Sequence, residues 1–162
     1  MQYANGGTVQ DLIRASRKDP TLLDEEKCRV LLKNILLGIQ HIHKTMEMVH
    51  RDLKPSNIVI DDPNDLSSVR IADFGLAVKL KDRSELLSTC GTLIYQSPEQ
   101  IFGTTKQGRS VDIFAIGFIL YEVLTGGKHP ILLKGEDKQA YRQKMKGFTG
   151  LNLEGHGLSP LA

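Results

Sequence analysis

The sequence is poor in the residues that mark secreted or disulfide-rich proteins. It has no tryptophan and only two cysteines, Cys28 and Cys90, in 162 residues. Two cysteines supply no disulfide framework and favour a reducing compartment, so we expect a cytoplasmic or nuclear protein. The first residues have neither a basic start nor an apolar run, so no secretory signal is predicted.

Charge of one sign and long hydrophobic runs are also scarce. The formal net charge is +2, and the basic residues are scattered, so neither a nucleic acid nor a membrane surface is indicated as a partner. The longest apolar stretch, residues 111–124, is shorter than the roughly 20 residues of a membrane span. It predicts a buried helix that ends before Gly126.

Two groups of residues contain possible metal ligands, but neither has the pattern of a metal site. Residues 61–65 are rich in Asp but lack the Gly and Glu of a helix-loop-helix calcium site, and Pro63 occupies a ligand position. His41 and His43 are two residues apart on a predicted helix and would face different directions. We expect a polar turn at 61–65 and surface histidines.

Hydrophobic periodicity predicts further elements. Acidic residues at 24–26 open a helix in which apolar residues recur at three- and four-residue intervals, namely Leu32, Ile35, Leu36, Ile39 and Ile42. Two β-branched runs, 58–60 and 69–71, predict a hairpin around the polar loop 61–65. A surface helix is predicted over residues 139–148.

Three ordered motifs dominate the middle of the chain. They are His50-Arg51-Asp52-Leu53-Lys54-Pro55-Ser56-Asn57, then Asp73-Phe74-Gly75, then Cys90-Gly91-Thr92 with Ser97-Pro98-Glu99. In order and spacing they resemble the catalytic loop, the metal-binding loop and the activation segment of protein kinases. The resemblance implies a mainly α (α+β) fold, a helical large lobe with a small β-hairpin beside the active site.

The resemblance assigns roles to the motif residues. Asp52 would accept or orient the proton of the substrate hydroxyl, and Lys54 would reach the transferred phosphate. Asn57 and Asp73 would hold Mg²⁺, with ATP as the other cofactor. Thr92 would hydrogen-bond with Asp52 and Lys54. Lys54 and Thr92 resemble the serine/threonine branch, so protein Ser and Thr hydroxyls are the expected substrates.

Other residues take structural or regulatory roles by the same resemblance. His50, Phe74 and Gly75 are structural, Asp112 would accept backbone hydrogen bonds from the catalytic loop, and Glu99 would pair with an Arg that this sequence does not contain. Arg51 would pair with a phosphate that an upstream kinase adds to the activation segment. Candidate acceptors are Ser84, Ser88 and Thr89, of which the last two are favoured; exposed hydroxyls without a role are the alternative.

Residues 1–13 resemble the passage from the hinge into the first large-lobe helix. On this resemblance Met1 is the gatekeeper, the backbone from Gln2 to Ala4 bonds the adenine edge, and Val59 is an apolar floor under the ring. An initiator Met with an unstructured start is the alternative for the first residues.

A glycine-rich Gly-x-Gly-x-x-Gly loop occurs nowhere in the 162 residues, and no strand carries a phosphate-binding Lys. We therefore expect residues 1–162 to be a partial kinase domain, hinge and large lobe without the small lobe and last helices. Two interpretations remain: part of an active kinase, inactive alone, or a noncatalytic docking or decoy module. The intact large-lobe motifs favour the first.

Overall fold

The computed structural model describes residues 5–82, 90–103, 107–133 and 135–151. The helices in these ranges are α1 (Val9–Ser16), α2 (Glu25–Lys44), α3 (Pro98–Phe102), α4 (Ser110–Leu124) and α5 (Lys138–Met145). The strands are β1 (Met48–Val49), β2 (Ile58–Asp62), β3 (Asp65–Ile71) and β4 (Val78–Lys79). This mainly helical architecture with a small antiparallel hairpin confirms the expected fold class.

Local sequence determines where the helices begin. Asp24 caps α2 by accepting the amide of Lys27 at 2.9 Å, and two glutamates occupy the first turn, where the helix dipole favours negative charge. Thr8 and Asp11 form a reciprocal capping box at the start of α1. Asp137 accepts two amides at the start of α5.

One hydrophobic core joins the long helices to the hairpin. α2 buries Leu31, Ile35, Ile39 and Ile42, each at most 3% exposed. Of the predicted stripe, Ile35, Ile39 and Ile42 are in this core, whereas Leu32 is half-buried and Leu36 is 40% exposed. α4 packs across it and is apolar on most of its circumference, as the continuous run 111–124 predicts. Among the described residues, no helix is both long and apolar enough to cross a membrane.

The predicted hairpin is present, but its turn is shorter than predicted. β2 pairs antiparallel with β3 from Ile58 opposite Ile71 to Asp62 opposite Asp65, with an irregularity near Asp61. The loop is therefore Pro63 and Asn64 rather than the five residues 61–65. Asp61 lies in β2 and forms an ion pair with Arg70, so the acidic residues lie along a sheet and do not form a loop.

A second strand pair, which the sequence did not reveal, brackets the central motifs. β1 precedes His50, β4 follows Gly75, and the two pair antiparallel with Val49 opposite Val78. These two valines are buried together with Val111 of α4 in a small second core. Pairs of two residues carry too little periodicity to be recognised in a sequence, yet this pair brings the ends of two motifs together.

Candidate active site

One buried carboxylate, that of Asp112, binds the backbone of the loop that follows β1. Asp112, in the first turn of α4, accepts the amide of His50 at 2.9 Å and the amide of Arg51 at 2.8 Å. Arg51 has a φ of 69°, a left-handed conformation that costs a non-glycine residue about 1–2 kcal/mol. The two hydrogen bonds offset that cost and fix the direction in which the next residue, Asp52, leaves the loop.

The same carboxylate contacts a histidine that we expected on the surface. Nε2 of His43 lies 2.7 Å from Oδ2 of Asp112, and His43 is 6% exposed. The expectation was wrong for His43 because the inner face of α2, which includes Ile39 and Ile42, continues to this residue and meets α4. His41 is exposed, so the two histidines do face different directions.

Asp52 lies at the centre of a compact polar triangle. Nζ of Lys54 is 2.9 Å from Oδ2 of Asp52 and 2.9 Å from Oγ1 of Thr92. The Thr92 amide donates to Oδ1 of Asp52 at 2.7 Å. Residues 40 positions apart in the sequence thus share one hydrogen-bonded unit. The side chain of Asp52 is 10% exposed and that of Lys54 is 25% exposed, so the triangle is still reachable from solvent.

Opposing effects act on the pKa of Asp52, and its hydrogen bonds prevail. Burial alone would raise the pKa, but donation from Lys54 and Thr92 stabilises the carboxylate and lowers the pKa below its usual value. Asp52 is therefore an anion at neutral pH. An anion in this position can accept a hydrogen bond from an incoming hydroxyl group.

A backbone hydrogen bond links the segments that carry Asn57 and Asp73. Nδ2 of Asn57 donates to the carbonyl of Asp52 at 2.9 Å, a bond that does not use its Oδ1. The Ala72 amide donates to the carbonyl of Asn57 at 2.9 Å, so Asp73 follows directly on a residue bonded to Asn57. Asp73 is exposed and left-handed, with a φ of 62°. Its Oδ1 accepts the Gly75 amide at 3.2 Å.

Side-chain contacts join the first two motifs. The rings of His50 and Phe74 meet edge to face at 5.2 Å, and Nε2 of His50 lies 3.0 Å from the carbonyl of Ala72. Nε of Arg51 donates to the carbonyl of Leu76 at 2.9 Å, and Arg51 is 7% exposed. The guanidinium therefore lies between the loop of residues 50–57 and the segment that leads towards residue 83.

Two buried glutamines bind the backbone of the third and the first motif, and neither had a sequence signal. Nε2 of Gln96 donates to the carbonyl of Cys90 at 2.6 Å, and Nε2 of Gln100 to the carbonyl of Arg51 at 3.3 Å. Glu99, expected to lack its arginine partner, accepts a hydrogen bond from Oγ of Ser110 at 3.1 Å. A glutamine within a motif carries no pattern by which its burial could be predicted.

A second buried acid, Glu122, also escaped prediction. Tyr95 donates its hydroxyl to the Glu122 carboxylate, with both oxygens at 3.1 Å. Burial raises the pKa of Glu122 from 4.5 to about 7, although the Tyr95 bond and the nearby Arg17 charge oppose the rise. The available signal was the interruption of an apolar helix by an acid, the pattern that also marks Asp112.

Several predicted residues lie outside the described ranges, namely Met1, Gln2 and Ala4 of the hinge and the candidate phosphorylation sites Ser84, Ser88 and Thr89. Val59 is half-buried in β2 and forms an isolated bridge with Thr8. The Gly6 amide donates to the carbonyl of Ile60 at 2.9 Å. The segment before α1 therefore runs along β2 beside Val59.

One groove in the described part of the chain lies away from these motifs. It has a volume of about 620 Å³ and lies between α2 and the start of α4, with Leu36, Leu37 and Ile113 in its lining. In the described ranges there is also no cluster of three or more His, Cys, Asp or Glu side chains that could hold a metal ion. The candidate site is thus an open surface of converging motifs.

Comparison with known proteins identifies what these motifs resemble. Residues 1–155 match the family model of the protein kinase domain. The chain is 35% identical over 126 residues to the carbon catabolite-derepressing protein kinase of Secale cereale and 35% identical over 127 residues to the probable serine/threonine-protein kinase nek2 of Dictyostelium discoideum. Against the mitogen-activated protein kinase kinase SIPKK of Nicotiana tabacum, the identity is 36% over 127 residues.

These alignments cover 77–78% of the chain but only 24%, 29% and 33% of the respective relatives. The chain therefore spans about a quarter to a third of the length of the curated relatives it matches. Among solved structures, the yeast RNA Pol II CTD kinase CTDK-1 complex contains a similar chain. The TM-score is 0.73 at 29% identity, with 88% of this chain and 43% of that chain covered.

Proposed function

Because this chain belongs to the protein kinase family, we propose that its protein transfers the γ-phosphoryl group of ATP to serine and threonine hydroxyls of protein substrates. One observation carries the proposal, the triangle of Asp52, Lys54 and Thr92. It places an anionic hydrogen-bond acceptor and a cation within 2.9 Å of each other at a partly exposed surface. Phosphoryl transfer depends mainly on such positioning and charge neutralisation.

The roles within the triangle follow from its chemistry. Asp52 accepts the hydrogen bond of the substrate hydroxyl and orients it, and Lys54 offsets charge on the transferred group. Thr92 holds both side chains in register through its amide and its hydroxyl. The Lys54–Thr92 bond supports a serine or threonine preference, and nek2 is named as a serine/threonine kinase.

The donor set also suits the expected cofactors. Oδ1 of Asn57 and the carboxylate of Asp73 are oxygen ligands of the kind that Mg²⁺ prefers, and one or two protein carboxylates or amides suffice because phosphate and water complete its shell. ATP supplies the phosphoryl group, and Mg²⁺ bound with it would neutralise phosphate charge. Val59, with the backbone near Gln2 and Ala4, would form the adenine side of the site.

Regulation by an upstream kinase is part of the same proposal. Arg51 lies where the catalytic loop meets the segment leading to residue 83 and is within reach of Leu76. A phosphate on Ser88 or Thr89 would add a doubly charged partner for a guanidinium group. Replacement of both hydroxyl residues by alanine should then lower activity without changing the affinity for ATP.

Asp52→Asn is the direct test of catalysis. The amide keeps the size of the side chain but cannot supply the carboxylate, so we expect incorporation of ³²P from ATP into serine or threonine peptides to fall by about 10²–10⁴-fold. Asp62→Asn, an exposed change in the hairpin, is the matched control. Activity that survives Asp52→Asn in a folded protein would refute the assigned role.

The noncatalytic docking function remains the second candidate, because these 162 residues contain no glycine-rich loop. It predicts that the wild-type protein neither transfers phosphate nor gains thermal stability from MgATP. For a kinase of which residues 1–162 are a part, the kinase proposal predicts both phosphate transfer and a gain in thermal stability with MgATP. A gain in Tm with MgATP that Asp73→Asn removes and Asp62→Asn keeps would support the kinase.

A further inference from the structure

His129 joins two loops through both of its ring nitrogens. Nε2 lies 2.8 Å from the carbonyl oxygen of Ile94. On the other side, Nδ1 lies 3.1 Å from the amide of Ile131 and 3.0 Å from the amide of Leu132. A carbonyl only accepts and an amide only donates, so this arrangement requires a neutral imidazole with its proton on Nε2.

Aromatic packing holds the imidazole in that orientation. The His129 ring meets Tyr95 at 6.1 Å, Phe118 of α4 at 5.4 Å and Tyr141 of α5 at 5.8 Å, all near edge to face. Burial lowers the pKa of His129, whereas its bond to the Ile94 carbonyl raises it less. Tyr95, Tyr141 and, behind Tyr95, Glu122 are the titratable groups that surround the ring.

The segment that His129 holds begins next to the triangle. Leu93–Tyr95 forms a 3₁₀ turn directly after Thr92. The turn and its end have three anchors from the body of the fold: His129 on the Ile94 carbonyl, Glu122 on the Tyr95 hydroxyl, and the Tyr141 hydroxyl on the Gln96 carbonyl at 3.2 Å. Of these three, only His129 is hydrogen-bonded to the backbone in the middle of the turn.

We propose that His129 is a positioning residue for the substrate side of the site. His129 acts through its bond to the Ile94 carbonyl, which holds Thr92 against Asp52. The inference rests on the proposed kinase function and extends it to a residue in the loop between α4 and α5. A polypeptide that presents a hydroxyl to Asp52 must lie against this turn. Loss of the Ile94 bond should therefore weaken the protein substrate and leave ATP unaffected.

Three replacements of His129 separate its two hydrogen-bonding sides. His129→Phe retains a ring but neither donates to Ile94 nor accepts from residues 131 and 132. His129→Asn offers an acceptor in place of Nδ1 but is too short to reach Ile94. His129→Gln carries a donor at the distance of Nε2. Exposed His41 receives the same three replacements as the matched control.

The kinetic expectation is specific. With His129→Phe and His129→Asn, KM for a peptide substrate should rise about three- to tenfold, the loss expected for one hydrogen bond, while KM for ATP stays unchanged. His129→Gln should restore most of the peptide affinity. Equal KM for peptide in all variants, or a Gln variant as impaired as the Phe variant, would overturn the proposal.

Two measurements that need no catalysis keep this inference separate from the kinase proposal. In ¹⁵N-histidine-labelled protein at pH 7, His129 should be neutral with its proton on Nε2. A charged ring or a proton on Nδ1 would refute the positioning role of His129. Amide exchange at Thr92 should accelerate about three- to tenfold with His129→Phe and not with His41→Phe. Unchanged exchange at Thr92 would overturn the positioning role of His129 even if the protein is an active kinase. Faster exchange in a protein without kinase activity would overturn only the kinase function.

Discussion

Glu122→Gln tests how a buried acid behind the site affects stability. Glu122 is 5% exposed and its carboxylate is hydrogen-bonded by Tyr95. Glutamine has nearly the same shape, retains an oxygen acceptor for the tyrosine hydroxyl and cannot ionise. The exchange therefore isolates the free energy of keeping a negative charge in this place.

The magnitude follows from the raised pKa. Burial moves the pKa of Glu122 from 4.5 to about 7, so the folded chain binds this proton more tightly than the unfolded chain does. The free energy of unfolding must then fall as the pH rises from about 4.5 to about 7, and the fall levels off above that range. A rise of this size corresponds to about 3 kcal/mol.

The assay is urea denaturation of wild-type and Glu122→Gln protein between pH 5 and pH 8. The stability of the variant relative to the wild type should rise between pH 5 and about pH 7, change little above that, and be greater by up to about 3 kcal/mol at pH 8. Glu47→Gln, at an exposed position, is the control and should show a constant difference. A constant difference for Glu122→Gln as well would show that its pKa is ordinary and refute the reasoning.

Three further predictions concern the active site. Asp112→Ala leaves two buried amides without a hydrogen-bond acceptor and should lower the free energy of unfolding by about 2–6 kcal/mol, measured by urea denaturation. A loss below about 1 kcal/mol would show that water replaces the carboxylate. Gly91→Ala places a Cβ against the Arg51 carbonyl and should destabilise by several kcal/mol, on the order of overpacking plus left-handed strain. Gly103→Ala, also left-handed but with open space around it, should cost only about 1–2 kcal/mol, so equal Tm losses would contradict the clash. Lys54→Met removes the largest influence that lowers the pKa of Asp52, so NMR titration should show that pKa rise; an unchanged pKa would argue against the Lys54 contact.

The elements that sequence predicted well are those whose signal is local. The helix begun at Asp24 and the apolar run at 111–124 became α2 and α4, because capping and periodicity act within a few turns. The hairpin was predicted in the right place, but its turn was predicted too long. The pairing of Asp62 with Asp65 extends the strands, and it depends on a register that the sequence does not display.

The missed residues share a different property, since each acquires its role from a distant partner. His43 looked like a surface residue until the crossing of α2 and α4 placed Asp112 against it. Glu122 and His129 have no motif of their own, and they bind segments that are 27 and 35 positions away in sequence. Such contacts arise only when packing has brought the segments together.

The sequence by itself determined that this chain belongs to the protein kinase family, because the residue types in the three motifs and their order mark that family before any coordinate is known. It also determined which stretches become the long helices. Only the tertiary structure decided the geometry: the left-handed turn at Arg51 held by Asp112, and the approach of Thr92 to Asp52 across 40 residues. The physical reason is that residue identity and local periodicity are encoded residue by residue, whereas hydrogen bonds between distant segments depend on how the whole core packs.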